Sequence, residues 1–409
     1  MSTAVINTGD TAWMLVCCSL VLMMTPALAF FYGGMVRRKN ILSTLTLNYV
    51  FMALIGVQWV LYGFSLAFGP DIAGVVGSLA HVGFAGVGAA PNGQYSAGIP
   101  FSLFAAFQMM FAVITPALVT GAFVERVRFK TFLLFALIWS TLVYDPLCHW
   151  VWGVGGWLRE LGVLDFAGGT VVHIAAGFSA LAFAMVVGPR KGFPKAMMEP
   201  HNIPYTLLGT GLLWVGWFGF NAGSALGANG VAANALITTN TSGATAGLVW
   251  MLLSWLDGRP SALGLATGMV VGLAAVTPAS GFVTPLSAMV IGAVAAPLSY
   301  YAIRFRIKRG LDESLDVWAC HGIASTWGML ATGLLATKAV NPDGANGLFY
   351  GNPSQVGIQL VGMVVTMVLA FGVTYVVAKA LDWSIGLRVP DIEEEVGLDI
   401  SSHGERAYS

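Results

Sequence analysis

Eleven apolar runs, each long enough to cross a bilayer, follow one another along this chain and leave few ways to fold it. A helix needs about 20 residues to cross roughly 30 Å of hydrocarbon. Runs of that kind cover residues 11–35, 41–68, 101–124, 131–151, 166–188, 203–224, 229–256, 261–277, 281–303, 315–337 and 355–381. The eighth is the shortest and is interrupted by Gly264, Gly268 and Gly272. Stretches 72–100 and 339–354 are also apolar but are broken by Gly, Pro and Asn, and read as loops. Only 9% of the 409 residues are charged, against about 25% in a soluble domain. That leaves too little polar surface for a soluble core and shell, and the 51 glycines suit helices packed closely in a membrane.

The basic residues test this count independently. Seventeen of the 19 fall in alternate connections or in the C-terminal region; only Arg159 and Lys338 fall opposite. Since Lys and Arg accumulate on the cytoplasmic side, the N-terminus lies outside and the C-terminus inside. An odd number of spans then requires that two five-helix halves, if they are repeats, be inverted relative to one another. The expected fold is therefore an all-α polytopic membrane protein: an inverted 5+5 repeat plus one extra helix in residues 1–382, and a cytoplasmic tail over 383–409. Residues 1–10 lack the basic segment of a cleavable signal peptide. Cys17, Cys18, Cys148 and Cys320 have no metal-ligand spacing and read as packing residues. No metal or other cofactor is expected, no basic stripe suggests nucleic acid, and neither a phosphate-cradling loop nor a nucleophile elbow points to an enzyme.

Ionisable groups within a span are costly and default to functional candidates. Among six histidines, His173 and His321 lie inside spans. Asp165 precedes the fifth span as a natural N-cap, and His173 follows eight residues later, about 12 Å along the axis. His321 comes five residues after Asp316, about 7.5 Å from the other side, or closer to 13 Å if its helix begins near Asp312. Two imidazoles thus converge on the middle of the membrane from opposite ends. The plainer alternative is that each only ties helices together, at about 0.6 kcal/mol per hydrogen bond. Towards the outer face stand Phe107, Phe220, Trp152 and Ser224. Most such aromatics form interfacial belts, but a Trp face beside a hydroxyl can also hold a small cation.

Several segments carry a resemblance. DFAGGTVVHIAAG (165–177), DVWACHG (316–322), GWFGFNAGSA (216–225), AFQ (106–108) and HWVWG (149–153) resemble, in order, the signature segments of the Amt/Mep/Rh ammonium transporters. FFYGGMVRRKN (30–40), FVERVRF (123–129), VTPASG (276–281) and the tail GLRVPDIEEEVGLDISSHGERAY (386–408) extend the match over nearly the whole chain. Two departures stand out: a one-residue longer loop between Trp152 and Asp165, and Cys320 and Trp327 flanking the second histidine.

The resemblance implies a mechanism. Trp152, Ser224 and Phe107 would recruit ammonium at an outer vestibule, and Phe107 with Phe220 would form a hydrophobic gate. His173 and His321 would line a pore for neutral ammonia, with the proton relayed separately, and Asp165 would be structural and electrostatic. The implied substrate is ammonium or ammonia, with methylammonium a candidate analogue. The implied partners are membrane lipid, two further copies in a homotrimer, and a PII-type (GlnK-type) signal protein docking on the cytoplasmic face. Competing readings are an ammonium sensor on the same fold and a sodium-coupled secondary transporter.

Overall fold

In the computed structural model, which describes residues 5–196 and 198–408, eleven helical rods occupy the predicted runs. They are α1 (Thr8–Met35), α2 (Arg38–Phe68), α3 (Phe101–Ala122), α4 (the contiguous Phe129–Trp139, Ser140–Tyr144 and Asp145–Trp152), α5 (Gly169–Val187) and α6 (Ile203–Gly223). The rest are α7 (Gly230–Leu256), α8 (Ala262–Val276), α9 (Pro285–Lys308), α10 (Trp318–Ile323 with Ala324–Leu335) and α11 (Ser354–Ile385). The stretch read as a loop over 72–100 holds two short hairpins, Asp71–Ile72 with Val76–Gly77 and Pro91–Asn92 with Ser96–Pro100. Exposed large apolar side chains such as Leu248, Leu252, Met289, Val364 and Val368 stud the outer rods, as a lipid-facing protein requires. The chain is a multi-pass α-helical membrane protein.

Small residues decide which helices touch. On α6, Gly209, Gly216, Gly219 and Gly223 face α1 so closely that an added Cβ would lie 2.4 Å from Phe31 N, 2.3 Å from Met24 Cγ, 2.6 Å from Leu20 Cβ and 2.9 Å from Cys17 Cβ. As the α6 number rises the α1 number falls, so the first helix of each half runs antiparallel to its counterpart. The same holds for the histidine helices. The start of α5 meets the end of α4, where Trp152 Nε1 donates to Asp165 O at 3.0 Å. The start of α10 instead meets the far end of α3, where the amides of Ser314 and Leu315 donate to Ala122 O and Gly121 O. The two helices therefore start from opposite ends of the bundle, as an inverted repeat demands.

Both begin later than the sequence suggested. Asp165 is followed by a turn, and α5 starts only at Gly169; α10 starts at Val317, with neither Asp312 nor Asp316 as its first residue. The unequal spacings of 165 to 173 and 316 to 321 conceal a match, because each histidine lies four residues beyond its first helical residue. Both occupy a π-helical turn, Gly169–Ile174 and Trp318–Ile323, a local widening that often marks functional sites. The helices cross at Gly177 and Gly322, where a Cβ on Gly177 would lie 2.4 Å from Gly322 Cα.

The cytoplasmic tail, α12 (Asp391–Val396) and α13 (Leu398–His403), is folded against the bundle. Asp399 Oδ1 accepts from Ser43 N at 2.9 Å, satisfying a backbone donor at the start of α2, and Leu398 N donates in return to Asn40 Oδ1 at 2.8 Å. Buried Glu394 accepts from Lys191 N and Arg388 Nη2, each at 2.7 Å.

Candidate functional site: an aromatic vestibule above a paired-histidine constriction

The site begins at the outer ends of α3, α4 and α6. A cavity of about 200 Å³ is lined there by Tyr95, Gln108, Phe111, Trp152, Arg159 and Ser224, among others. Trp152 is fixed at both ends: its indole donates to Asp165 O, and its carbonyl accepts from Arg159 Nη1 at 2.7 Å. Ser224 Oγ donates to Phe220 O at 2.9 Å, which leaves the oxygen lone pairs free to accept from a donor in the cavity.

Below the cavity the lining closes to two rings. Phe111 and Phe220 meet with centroids 4.3 Å apart, and Phe111 also lies edge-on to Trp152 at 6.0 Å. The sequence pointed instead to Phe107 as the ring shared by vestibule and gate. The structure puts Phe107 one turn away, fully buried behind Phe111 at 4.9 Å. Its ring packs beneath Gly223. Phe107 thus supports the floor, and Phe111 forms it.

Under Phe220 the passage narrows to about 10 Å³, room for about one water-sized molecule. Its walls are Met24, Leu28, Ile114, Leu118, Val172, Leu213, Trp217, Phe220 and Val270, with His173 and His321 the only ionisable groups. The two imidazoles stand 3.2 Å apart, Nδ1 to Nδ1, with planes 19° apart. His173 also stacks on Trp217 and Phe220 at 5.4 and 5.8 Å. A hydrogen bond between two Nδ1 atoms needs one donor and one acceptor, so neutral rings must be opposite tautomers. One then presents a bare Nε2 acceptor and the other an Nε2–H donor. His173 Nε2 is buried and has no partner among the described residues, so it is available to whatever occupies the passage.

Asp165 lies outside this lining and does structural work. Oδ1 accepts from Gly168 N and Gly169 N at 2.8 and 2.7 Å, while Oδ2 accepts from Thr170 N at 2.7 Å and from the Thr170 hydroxyl. The carboxylate thus caps the π-turn that carries His173, and its own carbonyl holds Trp152. Gly168, at φ 114°, makes the turn into that cap. His149 has no place in the passage: its ring nitrogens meet Ala67 O at 2.9 Å and Asp71 Oδ1 at 2.8 Å.

At the cytoplasmic end, buried Asp312 receives Arg190 through the Arg190 backbone N, Nε and Nη2 at 2.7, 2.9 and 2.8 Å. Arg190 Nη1 reaches Glu125 at 3.1 Å, and Arg37 Nε pairs with the same carboxylate. Burial alone would raise both carboxyls. The hydrogen bonds from Arg190 to Asp312, and the charges of Arg190 and Arg37 beside Glu125, more than offset it and hold both below the usual carboxylate range.

An aromatic cavity, a pair of stacked rings and a narrow, largely apolar space holding two facing histidines follow one another through the bundle. The model of the Ammonium Transporter Family matches residues 12–408. Ammonium transporter Amt1 of Archaeoglobus fulgidus is 50% identical over 401 residues, covering 98% of this chain and 99% of that one. The ammonium transporter of Bacillus subtilis is 48% identical over 403 residues, covering 98% of each. The crystal structure of Saccharomyces cerevisiae Mep2 superposes with a TM-score of 0.88 at 34% identity, over 94% of this chain and 91% of that one. A structure named Sensor Amt Protein has a TM-score of 0.88 at 30% identity, over 97% and 98%. The chain belongs to the Ammonium Transporter Family, a family of transporters and not of enzymes.

Proposed function

We propose that this chain recruits ammonium in the outer vestibule, deprotonates it, and conducts neutral ammonia through the paired-histidine passage while the proton crosses separately, so that each ammonium carries one net charge across. The observation that carries this is the passage itself: two imidazoles within hydrogen-bond distance of one another in an otherwise apolar constriction of about 10 Å³. Moving a bare monovalent cation into such surroundings costs of order 20 kcal/mol in the Born limit. Two imidazoles cannot replace a hydration shell, whereas neutral ammonia needs only one acceptor and one donor. Trp152 and Ser224, with Phe111 beneath them, provide a cation–π face and an acceptor for the charged form. Phe111 and Phe220 form the hydrophobic gate below it. Potassium, which has no proton to leave behind, is excluded by the same logic.

Around this core we place a homotrimer and a PII-type protein at the cytoplasmic face, with residues 383–409 as the regulatory tail. The docking of that tail through Glu394, Leu398 and Asp399 supports this arrangement. The sensor reading has a structural neighbour in its favour, while both relatives near 50% identity are named transporters.

The deciding experiment records currents from proteoliposomes given an ammonium step, with potassium as control. A saturating ammonium current, absent with potassium and abolished in a His173→Ala, His321→Ala double variant, is the expected result. Unchanged current and selectivity in the double variant would overturn the passage mechanism. Ammonium binding without current or lumenal pH change in the unaltered protein would favour the sensor.

A further inference from the structure

Asp145 is an acid inside a membrane helix with no countercharge. It sits on α4 seven residues before Trp152, is fully buried, and pairs with no cation among the described residues. It belongs neither to the vestibule nor to the histidine constriction. Its one bond comes from the side chain of Gln58 on α2, where Nε2 donates to Asp145 Oδ2 at 2.7 Å. Two buried atoms of this pair are left over, Asp145 Oδ1 and Gln58 Oε1, and neither has a partner among the described residues. As carboxylate and amide, both are acceptors. An ionised Asp145 would therefore leave two orphaned acceptors and one bare charge in a fully buried position.

A single proton removes all three defects. Placed on Asp145 Oδ1, it is donated to Gln58 Oε1, while Gln58 Nε2 continues to donate to Oδ2. The result is a closed acid–amide pair joined by two hydrogen bonds. The backbone prepares both partners for it. Gln58 immediately precedes a π-helical turn, Trp59–Gly63, and Asp145 immediately follows another, Ser140–Tyr144. The Gln58 amide fills the space beside Gly63, where a Cβ would lie 2.6 Å from Oε1 and 2.7 Å from Nε2. We propose that Asp145 and Gln58 form a dedicated proton-binding site, occupied at neutral pH, that clamps α4 to α2 without placing a charge in the membrane. The proton is held rather than shuttled, since neither residue lines the conduit, and Asp145 acts as a positioning residue for the helix that ends in Trp152. This inference does not depend on what the conduit carries.

Infrared spectroscopy of the full-length protein in liposomes tests it directly. At about pH 8, where a free aspartic acid is ionised, a carbonyl band of a protonated carboxyl should be present. It should shift on ¹³C-aspartate labelling and disappear in Asp145→Asn. The Asn variant, whose amide supplies the same donor and acceptor, should keep its melting temperature and transport within about twofold, because the hydrogen-bond pattern is conserved. Asp145→Ala and Gln58→Leu should each lower the melting temperature by several degrees. A difference spectrum showing only carboxylate bands would overturn the proposal. So would an Asp145→Asn protein that melts as low as Asp145→Ala.

Discussion

Replacing one ring at a time should separate the roles of Phe107 and Phe111. Phe111 touches both Trp152 and Phe220, so Phe111→Ala should open the floor of the vestibule. We expect ammonium flux or its discrimination against potassium to fall roughly tenfold or more, as expected where about 1.4 kcal/mol or more of barrier is altered. Phe107→Ala removes a buried ring that lines neither the vestibule nor the histidine passage, so its cost should appear in stability, about 3–5 kcal/mol for a buried Phe, with a smaller effect on flux. Paired flux and thermal-melting measurements check this, and equal flux loss in both variants would contradict the assignment. The case also shows what a sequence can carry at this scale. His173 and His321 were legible because an imidazole in an apolar run is conspicuous whatever surrounds it. Phe107 and Phe111 lie one turn apart on one helix face, and nothing in a string of letters says which level the cavity reaches. Asp145 also lies in an apolar run but was not singled out from the sequence, because its meaning lies in a partner 87 positions away in the chain.

The eleven spans could be read from run length and basic-residue alternation because the bilayer imposes both. The depth of each histidine could not. It depends on where a helix starts, and here turns after Asp165 and before Val317 delay both starts. A π-turn leaves no hydropathy signature, so the equal placement of the two imidazoles emerges only in three dimensions. That placement rests on the α5–α10 crossing at Gly177 and Gly322. A methyl at Gly177 would sit 2.4 Å from both Gly322 Cα and Gly322 N, a backbone contact that no rotamer change relieves. Gly177→Ala should therefore push the helices apart by a few tenths of an ångström or more, beyond what a 3.2 Å imidazole pair tolerates. We expect transport to fall about tenfold, with a stability loss of about 1–3 kcal/mol from overpacking. Gly357→Ala on α11 is a suitable control, because nothing lies within 4 Å of its Cβ. Equal transport in the two variants would remove the crossing from the mechanism.

At the scale of the whole molecule, one chain of charges joins the start of the His321 helix to the tail. Asp312, just before α10, grips Arg190; the next residue, Lys191, offers its backbone N–H to Glu394; and Glu394 is also held by Arg388. Sequence alone does not show that Glu394, one of several acids in the tail, is buried and answered by a backbone amide. Breaking the chain at its deepest link tests whether it holds the tail. Asp312→Asn leaves Arg190 buried with Glu125 as its only carboxylate, and such a loss costs about 3–5 kcal/mol. If the strain passes along Lys191, amides in 386–408 should exchange about tenfold faster or more, while those in α1 and α6 stay unchanged. Acid should do the same to the unaltered protein. Asp312 and Glu125 are both held below the ordinary carboxylate range, so their contribution is complete above about pH 5 and is lost as pH falls through their lower folded-state values. Hydrogen exchange of the tail should therefore be flat from neutrality down to about pH 5, after allowing for the intrinsic pH dependence of exchange, and rise only below about pH 4. A rise already near neutrality would implicate another group. A tail that stays protected in Asp312→Asn would mean that α13 and its bonds to Asn40 and Ser43 hold it without the charges, and that the His321 helix and the tail are not joined by this route.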